Sequence, residues 1–373
     1  MNWEVVKDID QAKIKVIGVG GAGGNAVIHM MNHKIEGVEF ICANTDSQAL
    51  DRAKGATILK LGGGMTKGLG AGADPEVGRQ AAERDREAIE QLLHGSDMIF
   101  ITAGMGGGTG TGAAPVIASI AKEMGALTVA VVTKPFKFEG RPRMASAEKG
   151  LAALVEEVDS LITIPNQKLM EILGGNIPIQ DAFGQADDVL KGAVQGISDI
   201  IMKPGLINVD YADVKTVMSE KGIAMMGTGK SSSKDRGHEA AEIAVGSELL
   251  EDINLKDARG VLVNISAKDP TMGDFTEVSE VVEEFTAEGA TCIYGLVIDP
   301  KLKDELMVTI VATGVNQKAP KLTMDKKPKA SIKLSPVGLD KDLTNGDSKQ
   351  VGASSAEAID FLDVPTFMRK QVD

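Results

Sequence analysis

The sequence predicts an α/β fold: a parallel sheet covered by helices, then one long central helix, then a smaller α+β domain and a disordered C-terminal tail. Three observations predict it. From Lys13 to Asn166, short apolar runs alternate with stretches of helical spacing, and several of the joints between them are glycine-rich. That is the rhythm of a parallel sheet covered on both faces. From Asp181 to Met202 an apolar stripe continues for about 22 residues, long enough for a central packing helix. Beyond Val315, Lys, Pro, Ser and Gly dominate to about Ala358, a stretch too polar to bury a core.

Composition narrows the function. The chain has 373 residues, 43% hydrophobic but only 3% aromatic, so its core is aliphatic. A net charge of −13 argues against nucleic acid as a partner, because a phosphate backbone demands clustered Lys and Arg. The two cysteines, Cys42 and Cys292, sit in apolar strand-like runs and read as buried thiols of a cytosolic protein. Met1 to Gln11 is polar and acidic rather than a signal peptide, and no apolar run reaches the roughly 20 residues of a membrane span, so direct membrane insertion is not expected.

In chain order, a strand at Lys13 to Val19 runs into Gly18-Val19-Gly20-Gly21-Ala22-Gly23-Gly24-Asn25, with a helix expected from about Ala26. Gly18, Gly20 and Gly23 satisfy G-x-G-x-x-G, and the next strand, Val38 to Asn44, ends in Asn44-Thr45-Asp46. This half alone fits a dinucleotide site with Asp46 on a ribose hydroxyl. A third strand, Ala56 to Leu61, leads to a loop from Gly62 to Asp74, whose amides at Ala71, Gly72 and Ala73 would close over a terminal phosphate. Pro75 opens a helix expected to reach Leu93.

The next joint is the most informative one. An apolar strand at Met98 to Ile101 is followed by Gly104-Met105-Gly106-Gly107-Gly108-Thr109-Gly110-Thr111-Gly112 and then by helical spacing from Ala113 to Met124. Glycine at six of nine positions frees the backbone to approach a ligand, and Thr109 and Thr111 add hydroxyls among bare N–H groups. This is a phosphate cradle but not a P-loop: the only Gly-Lys-Ser, at 229 to 231, has Ala224 where the first Gly should stand. Two glycine turns exceed what a dinucleotide pyrophosphate uses and suit a longer phosphate chain.

Leu127 to Thr133 is a further strand, Glu139 and Arg143 flank a helix start, and Leu161 to Ile164 leads to Pro165-Asn166. On the long helix, Phe183 and Asp187 are i, i+4 neighbours. A purine would stack on the ring, and the carboxylate would take the two donors of a guanine edge; an ordinary core Phe beside a helix-end Asp fits the same spacing. Asp210 and Asp213, after Asn208, lie at a helix start, where acidic residues are favoured for the dipole alone. However, a helix of about 22 residues is roughly 33 Å long, so if its start touches the base, Asp210 reaches only a neighbouring molecule's phosphates. From Gly222 a smaller domain alternates strands and helices without glycine-rich turns, and Ile359 to Lys370 ends the chain as an apolar segment suited to docking.

With both glycine turns, Asn208-Val209-Asp210-Tyr211-Ala212-Asp213 and the tail in view, the chain resembles the FtsZ family of tubulin-related bacterial division GTPases over its full length. The resemblance implies a GTP-binding domain at 13–180 behind an N-terminal extension at 1–12, a central helix at 181–203 and a C-terminal α+β domain at 204–316. A flexible linker at 317–358 and a partner-binding peptide at 359–373 complete it. It implies GTP and GDP as substrate and product with Mg²⁺. It also implies head-to-tail homopolymers at midcell beneath the inner membrane, with division regulators and tethers of the FtsA and ZipA kind as partners. By motif match, Gly21, Ala22, Gly23, Gly24, Asn25, Gly108, Thr109 and Gly110 would hold phosphates, and Glu139 and Arg143 ribose and nucleotide. Asn166, Phe183 and Asp187 would hold the base; Asn44, Ala71, Gly72, Ala73, Gly104, Gly107 and Thr133 complete the nucleotide set. Asn208, Asp210 and Asp213 would act catalytically on the next subunit's GTP, Asp210 and Asp213 orienting water or metal, and no side chain is assigned as a metal ligand.

Overall fold

A computed structural model describes residues 12–315, apart from 175–176, 204, 208, 221, 248, 251–255, 257 and 288. All of them belong to one compact unit. The N-terminal extension up to residue 11, Asn208, the linker and the terminal peptide lie outside the described residues.

The first stretch runs β1 (Ile14–Val19), α1 (Gly20–Asn32), β2 (Val38–Asn44), α2 (Ser47–Leu50), β3 (Thr57–Lys60), α3 (Gly63–Thr66), α4 (Pro75–Arg84) and α5 (Arg86–Leu93). It continues through β4 (Met98–Gly104), α6 (Thr109–Glu123), β5 (Leu127–Lys134), α7 (Arg141–Glu157), β6 (Ser160–Pro165), α8 (Asn166–Leu173) and the long α9 (Ile179–Met202). The second stretch holds β7 (Gly205–Ile207), α10 (Tyr211–Met218), β8 (Ile223–Ser231) and α11 (Arg236–Val245). It ends with β9 (Gly260–Ala267), α12 (Met272–Phe285), β10 (Thr291–Ile298) and β11 (Leu306–Val315).

The strands line up as β3-β2-β1-β4-β5-β6-β8-β11-β9-β10-β7. The first six are all parallel to their neighbours, and the order reverses between β1 and β4. Open parallel sheets bind ligands at such a reversal, outside the carboxyl ends of the strands. Both glycine turns follow these two strands. The second stretch is mixed, with β11 antiparallel to β8 and β9. It meets the first through a short parallel contact in which Leu161 and Ile162 pair with Ile223 and Ala224.

Strand alternation sorts the core. Val16 and Phe100 face one side with α1 and α9, while Ile17 and Ile101 face the other with α4 to α7. α9 spans both stretches: Leu190, Val194, Ile197 and Ile200 are buried in a cluster reaching from β1 to β11. Each such burial is worth about 1.5–3 kcal/mol. A third cluster fills the space between the mixed strands, α11 and α12.

Several boundaries differ from the sequence reading. α1 begins at Gly20 rather than near Ala26, and α6 at Thr109 rather than Ala113, so glycines themselves form the first helical turns. The helix expected from Pro75 to Leu93 is broken at Asp85, whose Oδ2 accepts from the Gly62 N–H at 2.6 Å. Gly229-Lys230-Ser231 lies at the end of β8, so it is strand and not a phosphate loop. Both cysteines are free: Cys42 is buried, which pushes its thiol up to about 11, and Cys292 is half-buried.

Candidate nucleotide site

A cavity of about 460 Å³ opens where β1 and β4 end, within the range of pockets that take small ligands. Of the expected residues, Gly21, Ala22, Asn25, Asn44, Ala71, Ala73, Gly104, Gly107, Gly108, Thr109, Gly110, Thr133, Glu139, Arg143, Asn166, Phe183 and Asp187 line it. Gly23, Gly24 and Gly72 do not. An added Cβ on Gly23 would lie 2.3 Å from the Thr102 carbonyl, so Gly23 serves helix–strand packing. Val19, Gly20, Asp46, Ala49, Gly70, Met105, Pro135, Ala186 and Leu190 line it as well. Asp46, a ribose ligand only on the dinucleotide reading of the first half alone, caps α2 in the structure: its Oδ1 accepts from the Gln48 N–H at 2.9 Å.

One end of the cavity is built from backbone. α1 and α6 both start here with no side-chain cap and no acidic residue in the first turn. Their unpaired N–H groups and positive dipole ends therefore face the cavity, which suits an anion. α4 and α10, by contrast, are capped by Asp74 and Asp210. Glycine is required where the turns meet. Gly20 takes φ +75°, and a Cβ there would lie 2.9 Å from the Gly110 nitrogen. Thr45 Oγ1 and Thr109 Oγ1, 2.7 Å apart, tie β2 to the second turn. Thr111 was expected among the ligand hydroxyls, but its Oγ1 accepts from the Gly106 N–H at 2.8 Å and holds the loop's own shape. Ser47 N–H to the Gly68 carbonyl and Gly70 N–H to the Thr45 carbonyl fasten the 62–74 loop along the rim.

The other end is built from side chains. Phe183 is 42% exposed, which excludes the core reading of that ring. It meets buried Phe136 in a T-shaped contact, 5.2 Å between centroids at 87°, and lines the cavity. Asn166 is 4% exposed, and its Oδ1 has no hydrogen-bond partner; a buried orphan acceptor on a cavity wall calls for a donor from a ligand. Half-buried Asp187 has its carboxyl pushed up to about 6, chiefly by desolvation, with Asp188 adding to the rise and His29 opposing it. Glu139 Oε1 accepts from the Phe136 N–H at 2.8 Å, and its Oε2 pairs with Arg143 at 3.0 Å. Arg143 is the only Lys or Arg among the described lining residues.

Asp210 and Asp213 are not in the cavity. Both are exposed at the start of α10, where Asp210 Oδ1 accepts from the Asp213 N–H at 2.9 Å. Between them in sequence, Tyr211 Oη donates to the Asp97 carbonyl at 2.6 Å. Asp97 immediately precedes β4, so this end of α10 lies at the strand starts. Seven residues of β4, about 23 Å, separate it from the glycine turn. α9 separates the two places again: its 24 residues span about 36 Å.

A doubly wound sheet whose reversal point carries two glycine-built helix starts, beside an exposed aromatic ring and a carboxylate, has the build of a nucleotide-binding protein. Residues 13–174 match the model of the tubulin/FtsZ family GTPase domain, and residues 222–316 that of the FtsZ family C-terminal domain. The chain is 54% identical over 393 aligned residues to the cell division protein FtsZ of Pseudomonas aeruginosa, covering 100% of both. It is 57% identical over 361 to that of Coxiella burnetii, covering 96% of this chain and 89% of the other. A solved empty FtsZ dimer from M. jannaschii superposes with a TM-score of 0.78 at 44% identity, covering 85% of this chain and 95% of that one. The chain belongs to the FtsZ family and is a GTPase.

Proposed function

We propose that this chain assembles head to tail into division filaments and hydrolyses GTP at the joint between subunits, each active site being completed by the neighbour. The observation that carries this reading is the placement of the two halves. The nucleotide cavity opens at the carboxyl ends of β1 and β4, while exposed Asp210 and Asp213 sit at the opposite edge. A joint of one edge on the other is heterologous and need not close, which gives a filament.

In this mechanism the amides at Gly21, Ala22 and Gly108 to Gly110 bind the phosphates and stabilise charge developing on the γ-phosphate. Glu139 and Arg143 hold the ribose end. Phe183 stacks on the base, Asp187 accepts from its N1–H and N2–H, and Asn166 Oδ1 accepts a further donor. Asp210 and Asp213 of the adjoining subunit, together with Asn208, orient the attacking water. The acidic side chains on the wall, Asp46, Glu139 and Asp187, are spread rather than gathered, and among the described residues the only His/Cys/Asp/Glu cluster lies outside the cavity. That donor set fits Mg²⁺ carried by phosphate oxygens and water, with no assigned side-chain ligand. When bound, the ion would supply positive charge that offsets the negative charge of the phosphates. Losing the γ-phosphate then weakens the joint that touches it.

The wider assignments follow the family. Residues 13–180 form the GTP-binding domain, 181–203 the central helix and 204–316 the C-terminal domain. Residues 317–358 act as a linker, and 359–373 dock on tethers of the FtsA and ZipA kind, placing the filament at midcell beneath the inner membrane among division regulators. No described helix is long and apolar enough to cross a membrane.

The test separates the halves. Asp213→Ala should bind GTP normally and release phosphate about a hundredfold more slowly or worse. Gly108→Ala, whose Cβ would lie 2.8 Å from Ala71 Cβ, should lose nucleotide. Mixing the two should restore turnover at joints where one supplies the pocket and the other supplies Asp213. No rescue, or full turnover in a strictly monomeric preparation, would overturn the shared site.

A further inference from the structure

Outside the nucleotide cavity, α1 and α9 bring together two imidazoles and a carboxylate. His29 and His33 are one turn apart at the end of α1, with ring centroids 4.3 Å apart, and Asp188 faces them from α9. One ligand atom from each lies within 4.8 Å of the others. His29 Nε2 is 3.0 Å from Asp188 Oδ1.

Two details fit a metal site better than a simple ionic tie. His33 Nδ1 contacts the His29 carbonyl at 2.8 Å, and a carbonyl only accepts, so Nδ1 carries a proton and, in the neutral ring, Nε2 keeps its lone pair. Metal-binding histidines are set up in this way, with the second ring nitrogen donating to a carbonyl or carboxylate. An ionic tie between α1 and α9 needs only His29, Asp188 and Lys191; it leaves exposed His33 unexplained. Lys191 Nζ lies 2.8 Å from Asp188 Oδ1 and is the resident competitor, but Oδ2 has no partner among the described residues.

We propose that His29, His33 and Asp188 form a binding site for a divalent ion of the zinc class. Two imidazoles and one carboxylate match zinc with a water in the fourth position, whereas magnesium and calcium take oxygen. A tetrahedral centre with bonds of about 2.0–2.1 Å needs its ligand atoms roughly 3.3–3.4 Å apart. His29 and Asp188 are already close to that spacing, and exposed His33 closes the remainder by a side-chain rotation. The ion clamps α1, whose start holds the phosphates, to α9, whose Phe183 and Asp187 face the base. This consequence rests on the proposed nucleotide contacts, while the site itself does not. Occupancy is therefore expected to slow nucleotide exchange.

The experiment is a zinc titration of the full chain, saturated with GDP, against a chromophoric indicator at neutral pH. The wild type should bind one zinc that His33→Ala binds about tenfold more weakly or worse. His29→Ala should lose the same ion. His238→Ala should retain it, because that histidine lies on α11, where its ring pairs with Glu242 one turn away. Thermal melting without metal checks that His33→Ala is folded, and copper substitution should show two nitrogen ligands by electron paramagnetic resonance. Equal zinc binding by wild type and His33→Ala, no wild-type site tighter than that of His33→Ala, or displacement by millimolar magnesium would each overturn the proposal. A nucleotide-exchange rate unaffected by bound zinc would remove the clamp but leave the site. Failure of the shared-site hydrolysis test would leave the zinc site itself untouched.

Discussion

The two ends of the nucleotide cavity are made of different material. At the end we assign to the phosphates, the groups on offer are main-chain N–H groups of α1 and α6, and side chains matter mostly by being absent. At the end we assign to the base, the main chain is ordinary helix, and the groups on offer are the side chains of Asn166, Phe183 and Asp187. A backbone site is all or nothing, because a new Cβ displaces the turn itself. A side-chain site is graded: each group can be exchanged with the fold intact, at the cost of one contact.

The largest expected effect breaks the backbone end. Gly20→Ala places a Cβ in a left-handed conformation, costing about 1–2 kcal/mol, and drives it into the Gly110 amide at 2.9 Å. Moving that amide spoils both turns at once. Nucleotide affinity, measured with a fluorescent GDP analogue, should fall by at least about thirtyfold, given that about 1.4 kcal/mol is a factor of ten. A fall of less than threefold would mean that the turns are not rigidly paired and that the contrast between the ends is false.

Asp187→Asn sharpens the comparison by changing specificity without emptying the site. An amide offers a donor where the carboxylate accepted, so it suits xanthine, which carries a carbonyl in place of the guanine amine. Hydrogen bonds to charged groups contribute about 1.5–3 kcal/mol, so the ratio of GTP to XTP affinity should drop by roughly one to two orders of magnitude. The carboxyl titrates near 6 in the free chain, raised first by desolvation and then by Asp188, with His29 opposing. Its folded pKa lies above the ordinary carboxylate value, so it costs stability as pH rises from about 4 through 6. Asn should therefore melt higher than the wild type at neutral pH while binding GTP less well. Because only the ionised form can accept both guanine donors, one on each oxygen, wild-type GTP affinity should also weaken as pH falls below 6, and the variant's should not. A variant that lost stability and kept its preference for GTP would show Asp187 to be structural.

This contrast also governs how much could be read from sequence. The backbone end was legible because glycine is conspicuous: two turns, each after an apolar run, located the strands on either side of the reversal point. Their helix starts were misplaced for the same reason. Glycine has low helix propensity, so Gly20 to Asn25 and Thr109 to Gly112 looked like loop although packing holds them as first turns. Thr111 looked like a ligand because sequence does not show which hydroxyl its own loop consumes. At the base end, residue types suggested chemistry, but only exposure decided it: Phe183 belongs to an apolar stripe by spacing, yet Ala182 and Ala186 are buried and the ring is not. Asn166 read as a strand end, and nothing in sequence shows that it opens α8 with an unpaired buried oxygen. The continuity of the sheet across β6 and β8 rests on two residue pairs, too short a match to leave a pattern.

Phe183 sets the lower end of the scale. A base stacked on an aromatic ring is worth about 1–3 kcal/mol, and every base has such a face, so the ring contributes affinity without choosing among nucleotides. Phe183→Leu keeps an apolar surface over Phe136 and removes the stacking face. GTP affinity should fall by about fivefold, with GDP and XTP falling by the same factor. Fold stability should hardly move, since the ring is 42% exposed and its main protein contact is one edge-on pair. Equal losses across bases would mark Phe183 as a platform and leave discrimination to Asp187. A loss confined to guanine nucleotides would mean that the ring positions Asp187 one helical turn away, and the two side chains would then act as one unit, as rigid in its way as the paired glycine turns.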